Sequence, residues 1–258
     1  MQVSKEIYKI LKASNIGGEG HVPSALSILD IVSVIYESVL NLNLIKKNSL
    51  HRDYFILSKG HGSLALYVIL EKFKLISKKE LYKFCDFKGK LGGHPDSTKI
   101  KAIESSTGSL GHGLPFGVGV AFAKKIKNYR GKVFVLVGDG ECNEGSIYES
   151  MLLANHHKLN NLVCIIDDNN SSTRVLNIQN ISKKFNSFGW KVINIDGHNK
   201  KKIKKSLLFS SSKPLAIIAK TLKGKGVKFM ENNPEWHHKK ITKDILKQIS
   251  IINEKAAS

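Results

Sequence analysis
The chain has 258 residues, 41% apolar and 24% charged, with 41 Lys and Arg against 21 Asp and Glu and a formal net charge of +20. That length buries a core without covalent staples, and three cysteines, Cys85, Cys142 and Cys164, with no paired short spacing argue against a secreted disulfide framework and a zinc ribbon. No apolar run approaches the roughly 18 residues of a membrane span, and Met1-Gln2-Val3-Ser4-Lys5-Glu6 lacks the basic-then-apolar order of a signal peptide, so a soluble cytoplasmic protein is expected.

In chain order, Leu26, Leu29, Val32, Ile35, Tyr36 and Val39 recur with helical period and predict a helix over 24–40, followed by a short strand at 53–57. Residues 63–74 read as an apolar helix, and Ser77-Lys78-Lys79-Glu80 has the spacing of a capping box that opens another. From the glycine-rich stretch 107–119 a helix runs to about Lys127, and 132–137 is an apolar run of strand length. The alternation then repeats: helix 145–157, strand 162–167, helix 181–188, strand 191–195, helix 199–209, strand 215–219 and a last helix from Ile241. Apolar strands alternating with helices predict an α/β fold, a mostly parallel sheet with helices on both faces. No compositional break marks a second domain, so residues 1–258 are expected to form one domain.

The basic balance invites a nucleic-acid reading, but only Arg52, Arg130 and Arg174 among the basic residues are arginines, so bidentate phosphate and base readers are scarce. The densest cluster, Lys200-Lys201-Lys202 with Lys204-Lys205, has no interleaved aromatic side chains to stack bases. Neither nucleic acid nor membrane is therefore an expected partner; the charge suits acidic small molecules.

The strand at 132–137 runs into Gly138-Asp139-Gly140, and the strand at 162–167 runs into Asp168-Asn169-Asn170. Ligands of parallel sheets collect at the carboxyl ends of strands, which places Asp139 and Asn169 side by side. A hard cation such as Mg²⁺ takes oxygen ligands, and Asp139, the Asn169 amide oxygen and a backbone carbonyl just beyond, that of Ser171, would supply three, with diphosphate oxygens and water completing the set. Gly138 and Gly140, without Cβ atoms, would let their amides approach the phosphate beside the amino end of the following helix. Taken alone, Gly-Asp-Gly is an ordinary tight turn; Asn-Asn at the end of the next strand favours the metal reading.

Gly138-Asp139-Gly140, 28 residues, then Asn169-Asn170 resembles the thiamine diphosphate signature, and the surrounding sequence, over roughly residues 5–245, resembles the amino-terminal half of transketolase. The resemblance also rests on Gly20-His21, Leu57-Ser58-Lys59-Gly60-His61-Gly62-Ser63, Gly93-His94-Pro95, Thr107-Gly108-Ser109-Leu110-Gly111 and Lys223-Gly224-Lys225-Gly226 leading to Trp236-His237. Five histidines, His21, His61, His94, His112 and His198, each have a glycine beside them, a pattern suited to handling sugar hydroxyl protons, whereas zinc spacings are absent.

The resemblance implies roles. His21 and His237 match residues that exchange protons with the hydroxyl next to the cleaved bond and polarise the acceptor aldehyde. His61 and His237 match groups near the diphosphate, and His94 matches the residue that holds the terminal hydroxyl of the two-carbon unit. Gly108 and Leu110 match positions that meet the cofactor rings, and His198 is expected to be a structural turn residue. Glu144 and Glu149 match members of a carboxylate relay across the subunit interface, although a helix-dipole and capping role explains them equally well. The implied cofactors are thiamine diphosphate and Mg²⁺, with Ca²⁺ or Mn²⁺ as substitutes.

In the family, the glutamate that activates the aminopyrimidine ring lies in a pyrimidine-binding domain that follows the matched part, and this sequence holds no match to it. The resemblance therefore implies a transferase subunit, working with a separate carboxyl-terminal subunit, plausibly two of each, on ketose and aldose phosphates. Departures from the family pattern at His21-Val22-Pro23-Ser24-Ala25, at His112 and at Asn170-Ser171-Ser172-Thr173-Arg174 leave the sugar open, with Arg174 a candidate ligand for an anionic substrate group. Alternatives are a deoxyxylulose phosphate synthase-like or oxo-acid dehydrogenase-like subunit, and a non-catalytic or nucleic-acid-binding relative.

Overall fold
Strand-length apolar runs pair into one sheet in a computed structural model that describes residues 3–171, 176 and 180–255. The strands are β1 (Tyr54–Leu57), β2 (Val133–Gly138), β3 (Leu162–Asp168), β4 (Lys191–Asp196) and β5 (Leu215–Lys220). All pairings are parallel, in the order β1-β2-β3-β5-β4. The register aligns Gly138 with Asp167 and Asp168 with Lys220, so the carboxyl ends of the three inner strands are level.

Ten helices among the described residues surround the sheet: α1 (Lys5–Gly17), α2 (Val22–Ser38), α3 (Leu42–Lys46), α4 (Ser63–Lys72), α5 (Lys78–Leu81), α6 (Gly113–Ile126), α7 (Gly145–His156), α8 (Ile181–Ser187), α9 (Lys200–Leu207) and α10 (Lys243–Lys255). Because successive strand residues point to opposite faces, the core divides in two. Phe134, Leu136, Val163, Ile165 and Ile217 pack with α1, α2, α4 and α9. Val135, Val137, Cys164, Ile166 and Ile218 pack with α6, α7 and α8. The expected two-sided α/β architecture is present.

Three features differ from the sequence reading. Helix α1, not anticipated, is capped by the Ser4 side chain, which accepts from Ile7 N, is closed by Gly18 at φ 65, and buries Ile10, Leu11, Ala13 and Ser14. Helix α3 buries no residue and rests on its Asn41 cap. Strand β4 is an edge strand whose residues are all half-buried or exposed, with Val192, Ile193 and Ile195 packing only partly against the core. The capping box of α5 is present, with both reciprocal bonds between Ser77 and Glu80. Gly117 of α6 is needed for close packing: a Cβ there would stand 2.5 Å from Val135 Cγ2.

Candidate cofactor site
All five strands deliver their following residues to one edge: Ser58 to His61 after β1, Asp139 after β2, Asn169 after β3, Gly197-His198 after β4 and Thr221 to Lys223 after β5. His198 is a structural turn residue, as expected. Its Nε2 accepts from Leu222 N at 2.9 Å, which leaves the proton on Nδ1, 3.0 Å from Asp30 Oδ2.

Beneath this edge is an ion pair that sequence reasoning missed, Lys59 with Asp167, at side-chain exposures of 1% and 0%. Asp167 also accepts from Ser27 Oγ at 2.8 Å, from the Thr221 hydroxyl and from Asn169 Nδ2 at 2.9 Å. Burial pushes its pKa up, but the Lys59 charge and the Lys59, Thr221 and Ser27 donors outweigh burial and hold it below the ordinary carboxylate value. A carboxylate only accepts, so Asn169 must turn its amide nitrogen to Asp167 and its oxygen away. That oxygen accepts from Ser171 N at 3.0 Å. A signal was present: an acid closing a fully buried apolar strand requires a partner.

Asp139 is buried and Gly138 precedes it on β2. The Gly138 and Gly140 amides, expected to face a phosphate, each have a partner within the chain. Gly138 N donates to Glu141 Oε2 at 3.1 Å, and Gly140 N donates to Asp139 Oδ1 at 2.9 Å. Asp139 thereby closes its own turn, and Glu141, another residue the sequence reading missed, takes the glycine amide.

The histidines converge. His21 lies with ring centroids 5.5 Å from His61, 5.3 Å from His237 and 4.6 Å from His238, and its Nδ1 is 3.2 Å from the His237 carbonyl oxygen. Lys223 Nζ is 2.9 Å from His237 Nδ1. Burial and the charge of His238 lower the His21 pKa to about 4, and burial with Lys59 lowers that of His61 to about 2. His237 is lowered by burial and then by Lys223, and Lys223 itself falls to about 8 by burial and the charge of Lys59. These rings are neutral at pH 7 and able to accept a proton. His94 stands beside Gly60 and Gly108, where a Cβ on either glycine would meet its ring at 3.1 and 3.5 Å. The Tyr67 hydroxyl, 3.0 Å from the carbonyl oxygens of both Gly92 and His94, anchors that loop.

Gly108 takes φ 152 and Leu110 is 38% exposed on the loop that leads into α6. The exposed His112 turns Nδ1 to the Leu110 carbonyl oxygen at 3.0 Å. Glu144 occupies the N-cap of α7 but makes no side-chain capping bond, which corrects the capping explanation; Glu149 is exposed on the same helix. Arg174 lies outside the described residues.

Asn169, Asn170, Ser171, Thr221, Lys223, Asn232, Asn233, Pro234 and His237 line a cavity of about 350 Å³. The residues fit an anionic ligand bridged by a hard cation. At Lys223, burial and the Lys59 charge outweigh the attraction of Asp139 and Asp167, so this edge favours an added negative group. A Cβ on Gly138, the residue before Asp139, would meet nothing closer than Lys59 Cβ at 3.8 Å. Thr107 Oγ1, beside Gly60, is buried without a hydrogen-bond partner. Among the described residues no group of three or more His, Cys, Asp or Glu gathers as a metal cluster. No helix among them is long and apolar enough to cross a membrane.

Residues 7–252 match the family described as "Transketolase, thiamine diphosphate binding domain". The chain is 38% identical over 227 residues to a protein of Phocaeicola vulgatus named as a subunit of apulose-4-phosphate transketolase, covering 85% of this chain and 80% of the relative. A protein of the same name from Actinobacillus succinogenes is 37% identical over 237 residues, covering 89% of this chain and 86% of the relative. The crystal structure of transketolase from Campylobacter jejuni superposes with a TM-score of 0.85 at 30% identity, covering 96% of this chain but 42% of that enzyme. The chain thus spans about two fifths of that transketolase.

Proposed function
The chain belongs to the thiamine diphosphate-binding transketolase family, a family of transferases, and from that premise we propose that it is the amino-terminal, diphosphate-binding subunit of a split transketolase. Its reaction is transfer of a two-carbon ketol unit from a ketose phosphate to an aldose phosphate. The observation that carries the reading is the meeting, at one sheet edge, of Asp139, Asn169 and Lys223 with the neutral cluster of His21, His61 and His237. The near-full coverage of the Phocaeicola vulgatus and Actinobacillus succinogenes relatives supports the split arrangement, and their name makes apulose 4-phosphate the first sugar to test.

In this reading the whole chain is the diphosphate-binding domain. Asp139, the Asn169 amide oxygen and the Ser171 carbonyl would hold Mg²⁺, for which Ca²⁺ or Mn²⁺ would substitute, and Lys223, His61 and His237 would face the diphosphate. Thiamine diphosphate, when bound, supplies the electron sink for carbon–carbon bond cleavage and formation. The residues of this chain do the rest. His21 and His237, held uncharged by burial, take and return the proton of the hydroxyl beside the cleaved bond. His94 holds the terminal hydroxyl of the transferred unit, Gly108 and Leu110 bound the ring pocket, and Arg174 and His112 face the sugar. Glu144 and Glu149 reach across the subunit interface of an assembly with two copies of each chain.

The test is reconstitution. The purified chain with thiamine diphosphate and Mg²⁺ is assayed for ketol transfer alone and after addition of a pyrimidine-domain polypeptide from the same genome. Activity is expected only in the mixture. Robust transfer by this chain alone defeats the split-subunit reading, and absence of thiamine diphosphate binding in the mixture defeats the cofactor reading.

A further inference from the structure
Glu141 is 1% exposed, and each of its carboxylate oxygens is committed. Oε1 accepts from the Ser58 hydroxyl and from Gly111 N at 2.9 Å; Oε2 accepts from Gly138 N at 3.1 Å. These donors come from three separate segments. Ser58 follows β1 and opens the Lys59-Gly60-His61 turn, Gly111 ends the loop that carries Gly108 and Leu110, and Gly138 precedes Asp139.

Gly113 N, in the first turn of α6, donates to Ser58 Oγ at 3.1 Å, which leaves the Ser58 proton for Glu141. The Gly111 carbonyl oxygen is held from the opposite side by Ser146 Oγ at 2.8 Å, on α7. Space is as tight as the bonding: a Cβ at Gly113 would stand 2.3 Å from Ser58 Oγ, and one at Gly111 would stand 2.6 Å from Glu144 Cβ. The two backbone N–H groups can only donate, so each carboxyl oxygen of Glu141 must accept, and the Ser58 hydroxyl completes the set.

We infer that Glu141 is a positioning residue, which ties the turn bearing Asp139 to the loop bearing Gly108 and Leu110 so that the diphosphate end and the ring end of the site keep a set separation. This rests on the cofactor reading above. Two of these segments carry residues assigned to the diphosphate end, His61 and Asp139, and the third carries Gly108 and Leu110 of the ring end, so a shift in one moves it against the others.

Glu141→Gln tests the inference, because it preserves shape while placing an NH₂ group against at least one N–H or O–H donor. The measurements are calorimetric affinity for thiamine diphosphate at saturating Mg²⁺, with the carboxyl-terminal partner present, and the thermal midpoint of the isolated chain. Glu141→Gln is expected to weaken cofactor affinity by about tenfold or more, as removal of supporting shells does at metal sites. The milder Ser58→Ala, which deletes one donor, is expected to weaken it by about threefold. Affinity unchanged within about twofold in the folded variants, with only the midpoint lowered, overturns the inference and leaves Glu141 a fold residue. Should Glu141→Gln fail to fold, Ser58→Ala decides by the same criterion. The native pair is the control: if it does not bind thiamine diphosphate, the cofactor reading falls, a result distinct from a native pair that binds and variants that bind equally well.

Discussion

Asp167 sits at zero exposure and is neutralised by one ammonium and three neutral donors. Removing that ammonium leaves an uncompensated buried charge. Lys59→Met is therefore expected to destabilise the chain by about 3–5 kcal/mol in urea unfolding, and Asp167→Asn in the Lys59→Met background to recover part of that loss. Equal stability in Lys59→Met and the native chain would show the pair to be dispensable. The His21 pKa makes a second residue-scale prediction. A ring whose folded pKa is about 4 binds fewer protons than its unfolded counterpart near 6.5. Its contribution to stability is complete above pH 6.5 and falls away as pH drops towards 4. The groups facing it are His61, His94, His237, His238 and, through His237, Lys223, none of them acidic. Beyond them, Glu19 Oε2 is 3.2 Å from His238 Nε2. Urea stability of the native chain is expected to decline from pH 6.5 to 4, with a shallower slope in His21→Gln. Parallel slopes in the two proteins would mean that His21 does not titrate as assigned.

At the scale of elements, two glycines that look alike in sequence do different work. Gly113 opens α6 against Ser58, and a methyl group there has no room, so Gly113→Ala is expected to cost about 1–3 kcal/mol or more of stability. Gly138 ends β2 with space around it, so Gly138→Ala is expected to keep a near-native thermal midpoint while weakening cofactor binding. A Gly138→Ala protein that melts much earlier than native would place the constraint in the fold. For α5 the sequence and the structure agree to the atom: Ser77→Ala removes the capping bond to Glu80 N and should cost about 1 kcal/mol. Strands β2, β3 and β5 were legible because they are apolar up to their carboxyl ends, and α2, α4 and α6 because most of their residues are apolar. Helix α1 went unread although its apolar positions are helically spaced, because lysines and other polar residues fill the rest of it and its packing partners lie far along the chain. The edge position of β4 was not legible either, because a half-buried run reads the same at an edge as beside a strand still to come.

For the whole molecule the dominant quantity is the net charge of +20. Like charges spread over one surface repel, so raising ionic strength from about 0.01 M to about 0.15 M, which shortens the screening length to about 8 Å, is expected to raise the thermal midpoint. A midpoint that falls with salt would show that surface ion pairs such as Lys72 with Glu6 and Glu37 outweigh the repulsion. The same surplus reaches the site, where the Lys59 charge lowers the pKa of both His61 and Lys223. By itself the sequence determined the α/β alternation, the metal-ligand candidates Asp139 and Asn169 and the family, because apolar runs and glycine-flanked polar residues are local patterns. Only the tertiary structure decided that β5 lies between β3 and β4, that Lys59 and Asp167 meet, and that Glu141 joins Ser58, Gly111 and Gly138. Those contacts link residues as far apart as 108 positions, and no local pattern encodes which distant donor will satisfy a buried carboxylate.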